Sequence, residues 1–232
     1  SCSEYRCHGA FAEYVVVPEH ILYTIPENVN FEQAAMVEPL SIALHVIRRS
    51  PVLLNSTAVV IGSGMIGLLV IQLLKLAECG HIIAVDTVQQ KLNLAAKFGA
   101  NSCINAQSSD VVSEVFRLTG NRGADIVFEV VGIEATVQSA VASLRKGGSL
   151  ILVGNLAPYV NFPLQSVVTR EISLFGSCVS AGEYPDCLDM IASGKVDVNL
   201  FISACVPLSE GSSWFKRLYD GENGLMKVIL WP

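Results

Sequence analysis

AVVIGSGMIGLLVIQLL, residues 58–74, is the stretch on which the fold turns. Taken whole, it has close to the length and apolarity of a membrane span. Gly62, Ser63, Gly64 and Gly67 interrupt it, however, and divide it into a short apolar run at 58–61 and a helix-length run, Met65–Leu76. A short apolar run, a glycine turn and a longer apolar run read as a buried strand, an elbow and a buried helix. A core, not a bilayer, is the expected surrounding, and no membrane partner is expected.

The same rhythm continues outward from this stretch. An apolar run at 81–85 precedes a helix-length segment, Gln89–Phe98, which Gly99 stops. Ser102–Asn105 reads as a short strand, and 109–119 as an amphipathic helix ended by Gly120. A strand at 126–131, a helix at 135–144 and strands at 149–153 and 172–175 follow. Six strands with helical crossovers between most of them predict an α/β protein, a doubly wound six-stranded parallel sheet of the Rossmann kind. Near-continuous apolar strands are what burial on both faces requires. Upstream, 11–17 (FAEYVVV) reads as a strand ended by Pro18, and 31–49 as a helix with a boundary or kink at Pro39. Past Gly176 the alternation stops, and a helix at 184–193 and a strand at 226–230 are assigned to another lobe. The expected division is 1–45, 46–176 and 177–232.

Gly62-Ser63-Gly64-Met65-Ile66-Gly67 has the form GxGxxG, a pattern that is weak alone. Here it follows a strand and opens a helix, and the next strand ends in Asp86, 19 residues beyond Gly67. That context makes it a dinucleotide fingerprint. Gly62 permits the tight turn, Gly64 lets backbone approach a diphosphate, and Gly67 lets helix and sheet pack closely. The diphosphate would rest on free N–H groups at the helix start, where the helix dipole favours an anion. Asp86 would accept hydrogen bonds from the adenine-ribose hydroxyls and repel a 2′-phosphate, so NAD is expected in preference to NADP. The alternative is a tight strand–helix turn that holds no ligand.

Composition narrows the function classes. Apolar residues make up 51% and charged residues 16% of the chain, which is enough to build a large core. Net charge is −6 and no basic cluster occurs, so nucleic acid has no electrostatic footprint. The seven cysteines (Cys2, Cys7, Cys79, Cys103, Cys178, Cys187, Cys205) are scattered and odd in number, which suits free thiols in a reducing, cytoplasmic setting. The first residues carry no signal-peptide pattern.

Six segments, in order, resemble the zinc-dependent alcohol dehydrogenase branch of the medium-chain dehydrogenases, with most likeness to sorbitol (polyol) and threonine dehydrogenases. They are Gly9-Ala10-Phe11-Ala12-Glu13-Tyr14, Glu38-Pro39-Leu40-Ser41, the glycine fingerprint, and 123–132 (GADIVFEVVG). Gly147-Gly148 leading to Leu152-Val153-Gly154, and 224–230 (GLMKVIL), complete the set. The resemblance implies that the chain ends belong to a GroES-like catalytic lobe. It also implies a small alcohol or polyol substrate, NAD and zinc as cofactors, and a homo-oligomer. It places the nicotinamide half of NAD along Val130, Val131 and Gly132, along Val153, Gly154 and Asn155, and along Ser177, Cys178 and Val179. It puts Lys91 near the adenosine and Lys227 near the phosphates, although either could be an ordinary surface charge. It sets Glu38 in or near the zinc shell. Glu38 sits in an apolar stretch, AAMVEPLSIAL, where a lone carboxylate is costly unless it is paired or metal-bound; the alternative is a helix-end carboxylate that simply reaches solvent.

Two departures qualify the resemblance. The family's principal zinc ligands and its four-cysteine structural loop have no match here, and the neighbours Cys7 and His8 are poorly placed to share one ion without further ligands. His45 reads as a packed histidine. Sorbitol dehydrogenases carry an Arg-Tyr pair where this chain has Val179-Ser180, which tells against sorbitol itself. Two alternatives therefore stay open: a zinc-free quinone-reductase-like enzyme using NAD(P)H, and an NAD-binding subunit without turnover.

Overall fold

The structure, a computed structural model, describes residues 9–232; Cys2, Cys7 and His8 lie outside the described residues. Two compact units divide it. One is Ile42–Val179, and the other is Ser180–Pro232 with the described residues up to Ser41.

Asn30 starts the first helix. Its side chain accepts the Gln33 N–H at 2.8 Å and the Gln33 side chain accepts the Asn30 N–H at 3.1 Å, a reciprocal capping box. α1 (Phe31–Ala34) ends there and α2 (Val37–Arg49) follows. The break lies ahead of Pro39, not at it. Pro39 falls in the first turn of α2, where a backbone N–H has no helical acceptor, so the ring is tolerated. Residues 11–17 are exposed and form no strand. An apolar, β-branched run makes a strand only when a neighbour takes up its backbone groups, and among the described residues none pairs with this segment.

The decisive stretch folds as β1 (Thr57–Ile61) and α3 (Met65–Leu76). Every α3 residue from Gly67 to Leu74 is buried, which explains why this helix lacks a polar face. Then come β2 (His81–Asp86), α4 (Gln89–Phe98), β3 (Ser102–Asn105), α5 (Val111–Leu118) and β4 (Ala124–Glu129). α6 (Glu134–Ser143), β5 (Leu144–Leu152), α7 (Leu164–Thr169) and β6 (Ser173–Gly176) complete the larger unit. The six strands are parallel in the order β3-β2-β1-β4-β5-β6. That is the strand order of the Rossmann fold, reversing direction between β1 and β4, and it brings all six carboxyl ends to one edge.

Three boundaries differ from expectation for local reasons. β4 stops at Glu129 because the Glu129 side chain accepts the N–H groups of Val131 and Gly132 and curls the chain out of the ladder. β5 starts at Leu144, directly out of α6, across a register irregularity between Ala124 and Ile126. α7 is only six residues of LQSVVT, too short and too β-branched to show a helical period.

At the amino-terminal edge of the sheet, Asp125 ties strands and loops together. It accepts the Thr57 N–H at 2.9 Å, Arg122 at 2.6 and 2.8 Å, and Arg145 at 2.6 Å. Burial pushes its carboxyl pKa up, but the bonds from Arg122, Thr57 and Arg145 outweigh that and hold it well below the usual carboxylate range. A depressed folded pKa contributes stability that is complete above the unfolded value of about 4 and lost as pH falls through the folded one. Asp125→Asn is expected to cost about 2 kcal/mol in urea unfolding at pH 7, and the gap to the unaltered chain should shrink below about pH 4. Equal stabilities at pH 7 would contradict this assignment.

The smaller unit contains α8 (Tyr184–Ala192), β7 (Ile202–Pro207), α9 (Gly211–Tyr219) and β8 (Lys227–Trp231). β7 and β8 pair in parallel. Asn28 donates to the Ala192 carbonyl at 2.8 Å, and Phe31 meets Trp231 edge to face at 6.1 Å. β7 and α9 were not expected from the sequence. β7 alternates between half-buried and exposed residues, and α9 mixes its apolar residues with ion pairs such as Lys216–Asp220. No helix of the described residues is long and apolar enough to cross a membrane.

Candidate functional site

The elbow between β1 and α3 is built by three glycines with different constraints. Gly62 has φ +101°, and a Cβ there would come within 2.7 Å of Val131 Cγ2. At Gly67 an added Cβ would lie 1.8 Å from the Gly62 carbonyl oxygen, so helix and turn are pressed backbone to backbone. Gly64 is unlike both. Its backbone is ordinary (φ −74°, ψ −171°), and an added Cβ would meet nothing within 4 Å. Gly64 is also the N-cap of α3 and has no side chain with which to cap it. The first N–H to find a helical carbonyl is that of Leu68, onto Gly64 at 2.9 Å. The amides of the first turn, Met65 and Ile66 among them, are therefore donors at the positive end of a long helix, beside open space.

Asp86 stands at the end of β2 next to this elbow. One carboxylate oxygen accepts the Ser63 N–H at 2.8 Å and the other accepts the Val88 N–H at 2.9 Å. Each oxygen keeps a lone pair, which suits a vicinal diol and opposes a phosphate. Lys91 lies half-buried in the first turn of α4.

The loops after β4, β5 and β6 end on the same sheet edge. Gly132 (φ +85°) and Gly154 touch without room for side chains: an added Cβ at Gly154 would fall 2.1 Å from the Gly132 nitrogen. The Gly132 carbonyl accepts the Ala157 N–H at 2.8 Å. Past β6, the Ser177 N–H donates to Leu152 O at 3.0 Å, and the buried Ser177 Oγ has no hydrogen-bond partner. Arg49 fastens the end of β6 through the Gly176 carbonyl at 2.8 Å. Val179 has φ +57°, a left-handed conformation costly for a β-branched residue, and such strain concentrates at functional loops. Residues 62–67, 86, 130–132, 153–155 and 177–179 thus gather along the carboxyl edge of one sheet. Glu129 had no role assigned from sequence. The available signal was a carboxylate closing the apolar run 126–128 of the strand ADIVFE.

Glu38 and Lys227 belong to the other unit. Glu38 is exposed in the first turn of α2, so the expected cost of burying a lone carboxylate does not arise. Within the same unit, burial first and then the Glu38 charge push the Tyr184 phenol above its ordinary pKa, and a hydrogen bond with Ser41 opposes them. Lys227 opens β8 and is half-buried. No three His, Cys, Asp or Glu among the described residues come together as metal ligands. These residues do not fit a zinc centre by themselves, and no chemical step through zinc follows from them.

The family model described as zinc-binding dehydrogenase matches residues 66–193. The chain belongs to this family. Among relatives, it is 32% identical to sorbitol dehydrogenase of Bacillus subtilis over 97% of its own length and 64% of that protein's. Among solved structures, a short-chain alcohol dehydrogenase of Escherichia coli complexed with NADH superposes with a TM-score of 0.89 at 26% identity, over 96% of this chain and 66% of that one. A zinc-binding dehydrogenase of Sinorhizobium meliloti bound to NADP gives a TM-score of 0.88 at 28% identity, over 97% and 66%. The chain spans about two thirds of the length of these family members.

Proposed function

We propose that this chain is the cofactor-binding part of an NAD-dependent alcohol or polyol dehydrogenase. The observation that carries the proposal is the open space over Gly64, flanked by the uncapped start of α3 on one side and by Asp86 on the other. The diphosphate fills that space, the adenine-ribose hydroxyls meet Asp86 with Lys91 nearby, and the nicotinamide half lies along 130–132, 153–155 and 177–179. The unpartnered Ser177 hydroxyl supports a ligand there. When bound, NAD would supply the hydride acceptor for the alcohol, and the chain's own residues would hold it extended across the sheet edge. One family member carries NADH and another NADP, so membership does not select between them, and the Asp86 carboxylate is what favours NAD. We assign Glu38 to the surroundings of a zinc ion whose main ligands are not among the described residues.

The kinship with a sorbitol dehydrogenase supports a polyol or secondary alcohol as substrate. Val179 and Ser180, in place of a cation and a phenol, favour one with fewer hydroxyls than sorbitol. β6 is the outermost strand of the sheet and leaves Leu174 43% exposed, which supports pairing between copies through this edge. None of the five cysteines among the described residues is in a disulfide, in keeping with a reducing, cytoplasmic setting.

The test is nicotinamide reduction followed at 340 nm with a panel of polyols and secondary alcohols, zinc being supplied. NAD reduction with at least one of them, and a kcat/KM for NAD at least roughly tenfold above that for NADP, is expected. NAD binding without turnover on any alcohol would favour the non-catalytic subunit instead.

A further inference from the structure

We infer that Glu129 is a positioning residue whose buried carboxylate shapes the two loops proposed to lie under the nicotinamide half of the cofactor and thereby controls affinity for that half more than for the adenosine half. The inference rests on the cofactor site proposed above and assigns a role to a residue outside it.

Glu129 is fully buried at the end of β4, in register between Ile61 of β1 and Leu152 of β5. Its side chain accepts the Val131 N–H at 3.0 Å and the Gly132 N–H at 2.9 and 3.1 Å. Its backbone carbonyl accepts the N–H groups of Val153 at 2.9 Å and Gly154 at 3.0 Å. One residue therefore fixes the β4 loop through its side chain and the β5 loop through its main chain.

The contact between those loops needs that fixation. An added Cβ at Gly132 would come within 2.4 Å of the Asn155 nitrogen, so the two backbones dock with nothing between them. Buried amides at 131 and 132 need acceptors, and without the carboxylate the chain has no reason to leave the ladder where it does. An apolar side chain would fill the same place without the cost of desolvating a carboxylate. What it could not do is hold this turn. At the adenosine end the corresponding work is done by Asp86 through Ser63 and Val88, and the Glu129 side chain takes no part in those bonds.

ADP-ribose shares the adenosine and diphosphate of NADH but lacks the nicotinamide, so paired titrations separate the two ends. In Glu129→Ala, NADH affinity is expected to fall at least roughly tenfold, the scale of losing charge-assisted hydrogen bonds, while ADP-ribose affinity stays within about threefold. Glu129→Gln keeps an acceptor for both amides and should recover most of the NADH affinity. If the alanine variant fails to fold, the Gln variant alone decides, with a several-fold loss confined to NADH. A parallel loss for both ligands, or no loss for either, overturns the inference while leaving the cofactor site standing. Failure of the unaltered chain to bind ADP-ribose would overturn the cofactor site, and this inference with it.

Discussion

Gly67→Ala is expected to destabilise the chain by about 3 kcal/mol or more, whereas Gly64→Ala, three residues away, should leave it folded and weaken its affinity for NAD. The difference follows from what a methyl group meets. At Gly67 it would lie 1.8 Å from a backbone oxygen, which cannot give way without moving the elbow or the helix. Overpacking against a rigid neighbour costs at the top of the usual range, a large share of a domain's net stability. At Gly64 the same methyl enters open space with ordinary backbone angles, so stability should change by no more than about 1 kcal/mol. That space is the one proposed for the diphosphate, and its loss should weaken NAD roughly 30- to 100-fold, the worth of one or two charge-assisted amide contacts. Urea unfolding and NAD titration on both variants check the pair. Similar stability losses in the two, or NAD affinity untouched in Gly64→Ala, would contradict the assignment.

The largest effect on selectivity is expected from Asp86→Ala. Two charge-assisted hydrogen bonds to ribose hydroxyls are worth about 3 kcal/mol together, so NAD affinity should fall roughly 100-fold. NADP gains nothing from this carboxylate in the unaltered chain and should bind no worse in the variant, so the preference for NAD narrows or inverts. The carboxylate also accepts the Ser63 and Val88 amides, so a stability loss of about 1–2 kcal/mol should accompany the change. An unchanged ratio of NAD to NADP affinity would remove Asp86 from the site.

The sheet was legible because its signals are local. Glycine elbows, apolar runs and helix stops such as Gly99 are written within a few residues, and β1 to β6 with α3 to α6 all correspond to segments read that way. What was not legible depends on partners distant in sequence. FAEYVVV has the aromatic and β-branched composition of a strand, but a ladder partner decides the matter and none lies among the described residues. β4 ends two residues early because of a carboxylate that reaches its own following amides. α7, β7 and α9 are short or half-exposed and show little periodicity. At the site, the glycine and Asp86 positions could be read from spacing alone. Glu38 could not be judged that way, since a carboxylate in an apolar run looks buried in one dimension and is exposed in three. Ser177 was located through resemblance, but the fact that its hydroxyl lacks a partner is visible only in the fold.

If the β1–α3 elbow and Asp86 together receive NAD, calorimetric titration of the folded chain with NAD and NADP will register it. The expected result is one NAD bound per chain with a Kd between roughly 1 µM and 1 mM, and NADP at least tenfold weaker. Folded protein that takes up no NAD, or that binds NADP more tightly than NAD, would contradict it.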